Sequence, residues 1–252
     1  MLATSENVKS RGFQTAEIIA AEENWPMNRS IKGIVFDLDG TLIHTKTDFR
    51  KMKTRMIEYL VSQGVDGSQL STTETNIVLL AKSDKMLRNK SVPQDKIVEI
   101  MDQVEEIMNE IELESVGETK PILGAEEALK ELKRQGYRTV ILTRGHHHYA
   151  VEALKNTGLM SYFDFVLGRE ETPKPKPEPE ALEHAAKVLN LGIDEIAFVG
   201  DHTIDQTCAL RAKARFIGVL TGTAKAQTWT EAGCQEVLAG VVELPAYLEK
   251  KG

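Results

Sequence analysis

The sequence predicts an α/β protein with a parallel sheet, interrupted after its first strand by an all-helical insertion. From residue 121 onward, short apolar segments alternate with segments whose apolar residues recur every three to four positions. Such alternation is typical of strand–helix units that place helices on both faces of a parallel sheet. Residues 46–116, by contrast, show only the helical period and no strand pattern.

The first strand is predicted at residues 31–36, and the helices of the insertion follow it. Apolar residues spaced three and four apart over positions 49–60 predict a helix that ends at Gly64. A second helix is expected at about residues 77–87. Residues 91–111 give the strongest helical pattern in the chain, because one apolar stripe runs through the whole segment.

The rest of the chain is expected to complete the sheet, so we predict a core domain from residues 31–45 and 117–252 and a helical cap domain from residues 46–116. The sequence leaves residues 1–30 outside both, as an N-terminal extension; either a short helix or a true start at Met27 would explain it. The predicted strands are 137–143, 163–168, 195–201 and 215–220, and the predicted helices are 124–136, 147–158, 177–192, 203–214 and 223–233.

Composition narrows the class of protein. A net charge of −7 argues against a nucleic-acid or anionic-membrane partner, because both need a basic face. No apolar run reaches the length that spans a bilayer. Cys208 and Cys234 form no close-spaced pair, which argues against a zinc site or a disulfide framework and suits a cytoplasmic location.

Polar side chains follow three of the predicted strands where each strand ends. Asp37 and Asp39 follow the first strand, Thr143 ends the second, and Asp201 follows a later one, with Asp205 four positions on. Ligands bind at the carboxyl ends of strands in open parallel sheets. Grouped carboxylates repel one another and need a hard cation such as Mg²⁺. A lysine, a hydroxyl and helix N-termini nearby would form a receptor for a tetrahedral oxyanion.

The segments "DLDGTLI", "ILTRG", "KPKPEP" and "VGDHTID" resemble, in order and spacing, the four motifs of the haloacid dehalogenase-like (HAD) hydrolase superfamily. The likeness is greatest to its phosphoglycolate phosphatase-like branch with a helical cap, and it covers about residues 31–222. It implies a Rossmann-like parallel sheet core with an inserted helical cap domain. It also implies an aspartyl-phosphate intermediate and a Mg²⁺ cofactor.

Carried over by position, the resemblance implies that Asp37 is the nucleophile. Asp39 would protonate the leaving oxygen, then deprotonate the attacking water, and its backbone carbonyl would contact the metal. The implied metal ligands are Asp37, Asp39, Asp201 and Asp205. For Asp37 and Asp39 the competing interpretation is a strand-end turn, and for Asp205 it is a first-turn acid that satisfies the helix dipole.

The implied phosphate-binding residues are Thr143, Arg144, Gly145 and Lys174, with Thr143 and Lys174 also counted as catalytic. Thr143 could instead be a helix N-cap. The loop repeats Lys-Pro, so the register of the motif decides which lysine has this role. The family pattern K-P-x-P places it at Lys174, which leaves Lys176 as a solvated neighbour.

Two groups of polar residues have no role assigned by the resemblance. The imidazoles of His146–His148 either face solvent at a helix start, which is the favoured interpretation, or touch the substrate. His202 stands where the family usually has a small polar residue, and a contact between its ring and the substrate stays open. The cations at the start of the insertion either form an exposed helix face or reach an anionic substrate. They are Lys46, Arg50, Lys51 and Lys53.

The function predicted from the sequence is that of a Mg²⁺-dependent phosphatase acting on a small phosphorylated metabolite. A phosphomutase would share all four motifs, and a non-catalytic regulatory protein would retain the scaffold; both alternatives stay open. No nucleic-acid or membrane partner is expected, and the chain is predicted to be a monomer or a homodimer.

Overall fold

The computed structural model describes residues 30–251, so all but the last residue of the predicted N-terminal extension lies outside the described part. The strands are β1 (Gly33–Phe36), β2 (Ile43–His44), β3 (Lys120–Pro121), β4 (Arg138–Leu142), β5 (Phe165–Leu167), β6 (Ile196–Gly200), β7 (Arg215–Val219) and β8 (Val237–Leu238). Six of them form a parallel central sheet, in the order β5-β4-β1-β6-β7-β8. A separate two-stranded antiparallel ribbon is formed by β2 and β3.

Helices cover both faces of the six-stranded sheet, because its strands are apolar on both sides. One apolar cluster contains Ile34 and Phe36 of β1, and the cluster on the opposite face contains Val35 of the same strand. The helices are α1 (Phe49–Ser62), α2 (Asn76–Asn89), α3 (Gln94–Glu114), α4 (Ala125–Arg134), α5 (His147–Asn156), α6 (Pro179–Val188), α7 (Thr203–Ala212), α8 (Ala226–Glu231) and α9 (Leu244–Lys251).

The position of β1 determines which polar residues can meet. β1 lies between β4 and β6, and Phe36 pairs in register with Ile141 of β4 and Val199 of β6. Because all three strands are parallel, the residues that follow them emerge at the same edge of the sheet. The Asp37 N–H extends this pairing by donating to the Val199 carbonyl at 2.9 Å.

The helices α1, α2 and α3 form a body with its own apolar centre, which we call the helical insert. Met52, Met56 and Leu60 of α1 are fully buried, and they pack in a cluster that includes Val104 of α3. The four-residue spacing places them on one side of α1, as the sequence period predicts. The chain enters the insert through β2 and leaves it through β3, so the antiparallel ribbon joins the insert to the sheet.

The predicted fold class is confirmed: the protein is α/β, with a parallel, Rossmann-like sheet and an all-helical segment after the first strand. The predicted elements recur with ends shifted by a few residues, whereas the ribbon of β2 and β3, strand β8 and helix α9 were not predicted. The division into core and cap domains stays a prediction. Within residues 30–251, no helix combines the length and apolarity needed to cross a bilayer.

Candidate active site

Three carboxylates meet at the carboxyl edge of the sheet. Asp37 follows β1, Asp201 follows β6, and Asp205 lies in the first turn of α7. One carboxylate oxygen from each lies within 4.8 Å of the others, and all three residues are buried. The sequence assigned these three to a metal site, and the structure brings their side chains together.

A lysine from the Pro-rich loop before α6 inserts between two of these carboxylates. The Lys176 ammonium lies 2.6 Å from Asp37 Oδ1 and 2.7 Å from Asp205 Oδ1. Its side chain is 2% exposed, and its Nζ lies 5.3 Å from the centre of the Phe198 ring. Burial lowers the pKa of Lys176, but the charges of Asp205 and Asp37 outweigh burial and hold that pKa above its ordinary value, so the ammonium stays charged.

The structure contradicts the assignment of the site lysine to Lys174. The Lys174 side chain is 59% exposed and pairs with Glu180 at 2.5 Å on the surface of α6. The pattern K-P-x-P occurs at both lysines, so the motif alone does not select one of them. Lys176 lies three residues before Pro179, the first residue of α6, and this position brings its side chain into the sheet edge.

Two threonines hold the Asp201 carboxylate, and two glycines leave the space that it occupies. Thr223 donates to Asp201 Oδ2 through both its backbone N–H and its hydroxyl, each at 2.8 Å, and the Thr41 hydroxyl lies 3.2 Å from Oδ1. A Cβ added at Gly222 would lie 1.9 Å from Asp201 Oδ2. Gly40 has φ +86°, a backbone conformation that glycine adopts without strain.

The Asp39 carboxylate lies apart from the three grouped carboxylates. Its Oδ1 accepts a 2.5 Å hydrogen bond from the Tyr149 hydroxyl, which also lies 3.0 Å from the Thr45 hydroxyl. Burial raises the pKa of Asp39 to about 7, although the hydrogen bond from Tyr149 opposes the rise. A carboxyl with that pKa exchanges protons readily near neutrality. The metal contact predicted for the Asp39 backbone carbonyl stays a prediction.

The loop after β4 consists of Thr143, Arg144, Gly145 and His146 and is called the 143–146 loop below. Thr143 is buried and is not the N-cap of α5; its hydroxyl accepts the Gly145 N–H at 3.0 Å. The Arg144 side chain is half-buried near the carboxylates of Asp37 and Asp205. Burial lowers the pKa of its guanidinium, and the Asp205 charge opposes that effect.

The histidines serve largely as local structural groups. His146 is the N-cap of α5 and its ring lies 3.2 Å from Glu170, while the His147 ring lies 2.6 Å from Glu171. The His202 ring accepts the Ile204 N–H at 3.0 Å as the N-cap of α7. The solvent-facing interpretation therefore fits His148, which is exposed, and His147, whose side chain is 40% exposed. The His146 side chain is 25% exposed and lies largely covered.

The cations at the start of the insert lie on its surface. Lys46 pairs with Glu118 at 2.9 Å and Lys51 with Glu114 at 2.5 Å, and these side chains are about half or more exposed. Arg50 is exposed as well, and Lys53 is half-buried. The interpretation of this group as an exposed helix face fits the structure.

The donor set fits a divalent cation. Asp37, Asp201 and Asp205 bring three carboxylates against the one ammonium of Lys176, and hard cations bind oxygen ligands of this kind. Burial raises the pKa of Asp37, and the Lys176 ammonium opposes that rise. The charges of Asp205 and Asp201 raise the Asp37 pKa further. A cation among these oxygens would relieve that repulsion.

Sequence reasoning missed Tyr149 and Thr223. Tyr149 lies within the helical pattern of α5, where the position of an aromatic residue predicts a place in the apolar core, and its ring is indeed buried. For Thr223 the sequence predicts only a position at the start of a short helix. Its proximity to Asp201 arises because the chain after β7 folds back over the strand end, and no local signal indicates that contact.

The comparisons with known proteins agree with this geometry. The sequence profile of a family described as "haloacid dehalogenase-like hydrolase" matches residues 34–219. Phosphoglycolate phosphatase of Cereibacter sphaeroides strain ATCC 17025 is 29% identical over 188 residues, covering 73% of this chain and 83% of that protein. Phosphoglycolate phosphatase of Thiobacillus denitrificans is 26% identical over 223 residues, covering 87% of this chain and 96% of that protein.

Solved structures share the fold. A hydrolase from Pseudomonas syringae superposes with a TM-score of 0.60 at 21% identity, over 87% of this chain and 98% of that one. A HAD family hydrolase from Deinococcus radiodurans, solved with bound phosphate and sodium, superposes with a TM-score of 0.58 at 20% identity. The latter match covers 88% of this chain and 96% of that one.

Proposed function

The chain belongs to the haloacid dehalogenase-like hydrolase family, in its phosphoglycolate phosphatase-like branch, and on this premise we propose that it hydrolyses the phosphate monoester of a small metabolite with the help of Mg²⁺. The observation that carries the proposal is the cluster of Asp37, Asp201 and Asp205, in which Asp37 and Asp205 pair with the Lys176 ammonium. It combines a buried carboxylate nucleophile, a set of cation ligands and a positive charge at one strand edge.

Asp37 attacks the phosphorus atom of the ester in the proposed reaction. A bond forms between an Asp37 carboxylate oxygen and phosphorus, the bond between phosphorus and the ester oxygen breaks, and that oxygen takes a proton from Asp39. A water molecule then gives a proton to Asp39 and attacks the same phosphorus, which releases inorganic phosphate and restores Asp37. The Asp39 pKa of about 7 suits a group that gives and then takes a proton near neutrality.

The 143–146 loop and Lys176 would bind the oxygens of the transferring phosphoryl group. Lys176 supplies a buried positive charge, and Thr143 supplies a hydroxyl. The backbone N–H of Arg144 adds a donor near the start of α5, where the helix dipole also favours an anion. The Gly145 N–H, which donates to the Thr143 hydroxyl at 3.0 Å, would orient that hydroxyl toward the phosphoryl group. Donors that are already in place when charge develops account for much of the rate enhancement in such sites.

Asp37, Asp201 and Asp205, with the Asp39 carbonyl, would hold Mg²⁺. When bound, the cation neutralises negative charge on the phosphoryl oxygens and on the carboxylates around them. The Deinococcus radiodurans relative was solved with phosphate bound, which supports a phosphate site on this fold. The names of the curated relatives make 2-phosphoglycolate the first substrate to test.

The test measures phosphate release from p-nitrophenyl phosphate and from a panel of small phosphorylated metabolites. We expect turnover with Mg²⁺, loss of turnover with a chelator, and recovery when Mg²⁺ is restored. Asp37→Asn should abolish turnover, whereas Asp102→Asn, at an exposed position of α3, should leave it unchanged. Robust turnover by Asp37→Asn or in chelator would refute the mechanism, and isomerised sugar phosphate without phosphate release would identify a phosphomutase.

A further inference from the structure

A buried ion pair joins the helical insert to the residues that follow β5. Glu105 and Glu112 are seven positions apart on α3, so two helical turns place both on the same side. Arg169 Nε lies 2.5 Å from a Glu105 oxygen, and Arg169 Nη1 lies 2.9 Å from Glu112 Oε1. The side chains of Arg169 and Glu112 are 11% and 7% exposed. The contact therefore lies inside the boundary between insert and sheet.

Both members of this pair also hold the backbone of the 143–146 loop. Glu112 Oε2 accepts the His146 N–H at 3.0 Å. Arg169 Nη1 donates to the Arg144 carbonyl at 2.9 Å, and the Arg169 N–H donates to the Gly145 carbonyl at 3.0 Å. Three successive loop residues are thus held by one arginine and by one glutamate that belongs to the insert.

The orientation of this loop decides where its N–H groups point. A peptide whose carbonyl is held cannot rotate freely, so the bonds from Arg169 also orient the N–H groups of Gly145 and His146, which belong to the same peptide units as the Arg144 and Gly145 carbonyls. The Gly145 N–H donates to the Thr143 hydroxyl and the His146 N–H to Glu112, so the orientation of these peptides fixes the Thr143 hydroxyl beside the phosphoryl receptor. Displacement of a positioning group by about 1 Å can cost about a hundredfold in rate. The contact between insert and loop can therefore affect the reaction without touching the substrate.

Other ion pairs on α3 differ in burial. Glu110 pairs with Arg55 and Glu114 pairs with Lys51, but these side chains are 40% to 55% exposed. Exposed pairs contribute little to stability, whereas removal of one partner of a buried pair leaves an uncompensated charge. Glu114, two positions from Glu112 on the same helix, is therefore a matched control for the loss of a carboxylate.

We propose that Glu112 is a positioning residue that couples the seating of the helical insert to the geometry of the 143–146 loop. With the insert seated, Glu112 binds Arg169 and the His146 N–H, and the loop presents its donors to the phosphoryl group. With the insert displaced, the loop loses these contacts and its donors lose their alignment. The inference rests on the proposed function, because it takes the 143–146 loop as the phosphoryl receptor.

The kinetic test compares Glu112→Ala and Glu112→Gln with Glu114→Gln. We expect Glu112→Ala to lower kcat/KM for p-nitrophenyl phosphate by about tenfold to a hundredfold, and to weaken inhibition by inorganic phosphate in parallel. Glu112→Gln keeps an acceptor for the His146 N–H and should fall between Glu112→Ala and the unchanged protein. Glu114→Gln should stay within about twofold of the unchanged protein, as expected for an exposed pair.

Amide hydrogen exchange gives a readout that does not depend on turnover. The peptide that covers residues 143–147 should exchange faster in Glu112→Ala and Glu112→Gln, but not in Glu114→Gln. Met56→Ala, which removes a fully buried side chain inside the insert, controls for general loosening of the insert. It should speed exchange within α1 without the same effect on the loop peptide.

Two results would overturn the inference. One is that both Glu112 variants show the same amide exchange in the 143–147 peptide, and the same inhibition by inorganic phosphate, as Glu114→Gln. The other is an equal loss of phosphate binding in Met56→Ala. If Glu112→Ala fails to fold, the result for the volume-conserving Glu112→Gln decides whether Glu112 positions the loop. If the unchanged protein hydrolyses no substrate, the proposed function fails, while loop exchange and the binding of inorganic phosphate, measured by calorimetry, still decide the role of Glu112.

Discussion

The Lys176 ammonium lies 2.6 Å from the Asp37 carboxylate, although the two residues are 139 positions apart in the chain. Both are buried, so the pair is shielded from screening by solvent and salt. Asp37 reaches the site from the end of the central strand, and Lys176 reaches it from the loop before α6. A positive charge thus stands beside the proposed nucleophile before any substrate arrives.

Replacement of each lysine of the Lys-Pro repeat should show which of the two acts in the site. Lys176→Met should lower kcat by about 10²–10³, the effect of losing one preorganised donor. It should also lower the free energy of unfolding in metal-free buffer by about 3–5 kcal/mol, because the buried carboxylates of Asp37 and Asp205 lose the ammonium that pairs with them. Steady-state kinetics and denaturant titrations measure the two effects. Lys174→Met, at an exposed position, is the control, and a larger loss there than at Lys176 would contradict the assignment.

Tyr149→Phe removes the hydroxyl that donates to Asp39 and leaves the buried ring in place. We expect kcat to fall by about tenfold with little change in KM, because the proton-transferring carboxyl loses its orientation while phosphate binding is untouched. Tyr162→Phe, which removes an exposed hydroxyl near Glu126, is the control. An unchanged kcat in Tyr149→Phe would show that the hydrogen bond does not orient Asp39.

Gly222→Ala should weaken metal activation. The added Cβ would lie 1.9 Å from Asp201 Oδ2, so the carboxylate must move. Displacement of groups that orient metal ligands typically costs about 10–100-fold in metal affinity. The Mg²⁺ concentration for half-maximal activity should rise accordingly, as measured by metal titration. Gly117→Ala is the matched control, because nothing lies within 4 Å of its added Cβ.

Asp164→Asn should lower stability in a pH-dependent way. Asp164 accepts the Thr139 N–H at 2.7 Å and lies 3.0 Å from the Lys133 ammonium. Burial raises the pKa of Asp164, but these two partners outweigh it and hold the pKa below the ordinary value of 3.8. The carboxyl is 38% exposed, so we expect a loss of only about 1 kcal/mol at pH 7.

A lowered pKa in the folded state stabilises the protein at pH values above the unfolded pKa of the group. The difference between the unchanged protein and Asp164→Asn should therefore be complete at pH 6–7 and shrink as the pH falls below about 4. Denaturant titrations at pH 7, 5 and 3 measure it. A difference that grows toward acid pH would contradict the contribution of the ionised carboxylate.

The sequence predicted the elements whose signal is local and long. The stripe of α3 and the apolar strands β1, β4 and β6 were all expected, because helical and strand periods appear within one segment. The short strands β2, β3 and β8 were not, since two-residue strands exist only through their pairing. Helix α9 was not predicted either, because its eight residues give little more than two turns of helical period.

The pairing of Glu112 with Arg169 also escaped prediction. Along α3 the glutamates at 105 and 112 resemble any solvated helix face, because a charge carries no local mark of burial. The sheet brings Arg169 to that face from the end of β5, and the resulting contact spans 57 positions. Only the packing of the insert on the sheet makes this glutamate a buried group.

By itself the sequence determined the α/β architecture, the acidic residues at the strand ends and the family, because each follows from local residue patterns and from the order of the motifs. Tertiary structure alone decided which lysine meets Asp37 and which glutamate of α3 meets the 143–146 loop. The physical reason is that a repeated Lys-Pro pattern and a row of helical glutamates are degenerate along the chain. Burial beside an opposite charge selects one member of each set.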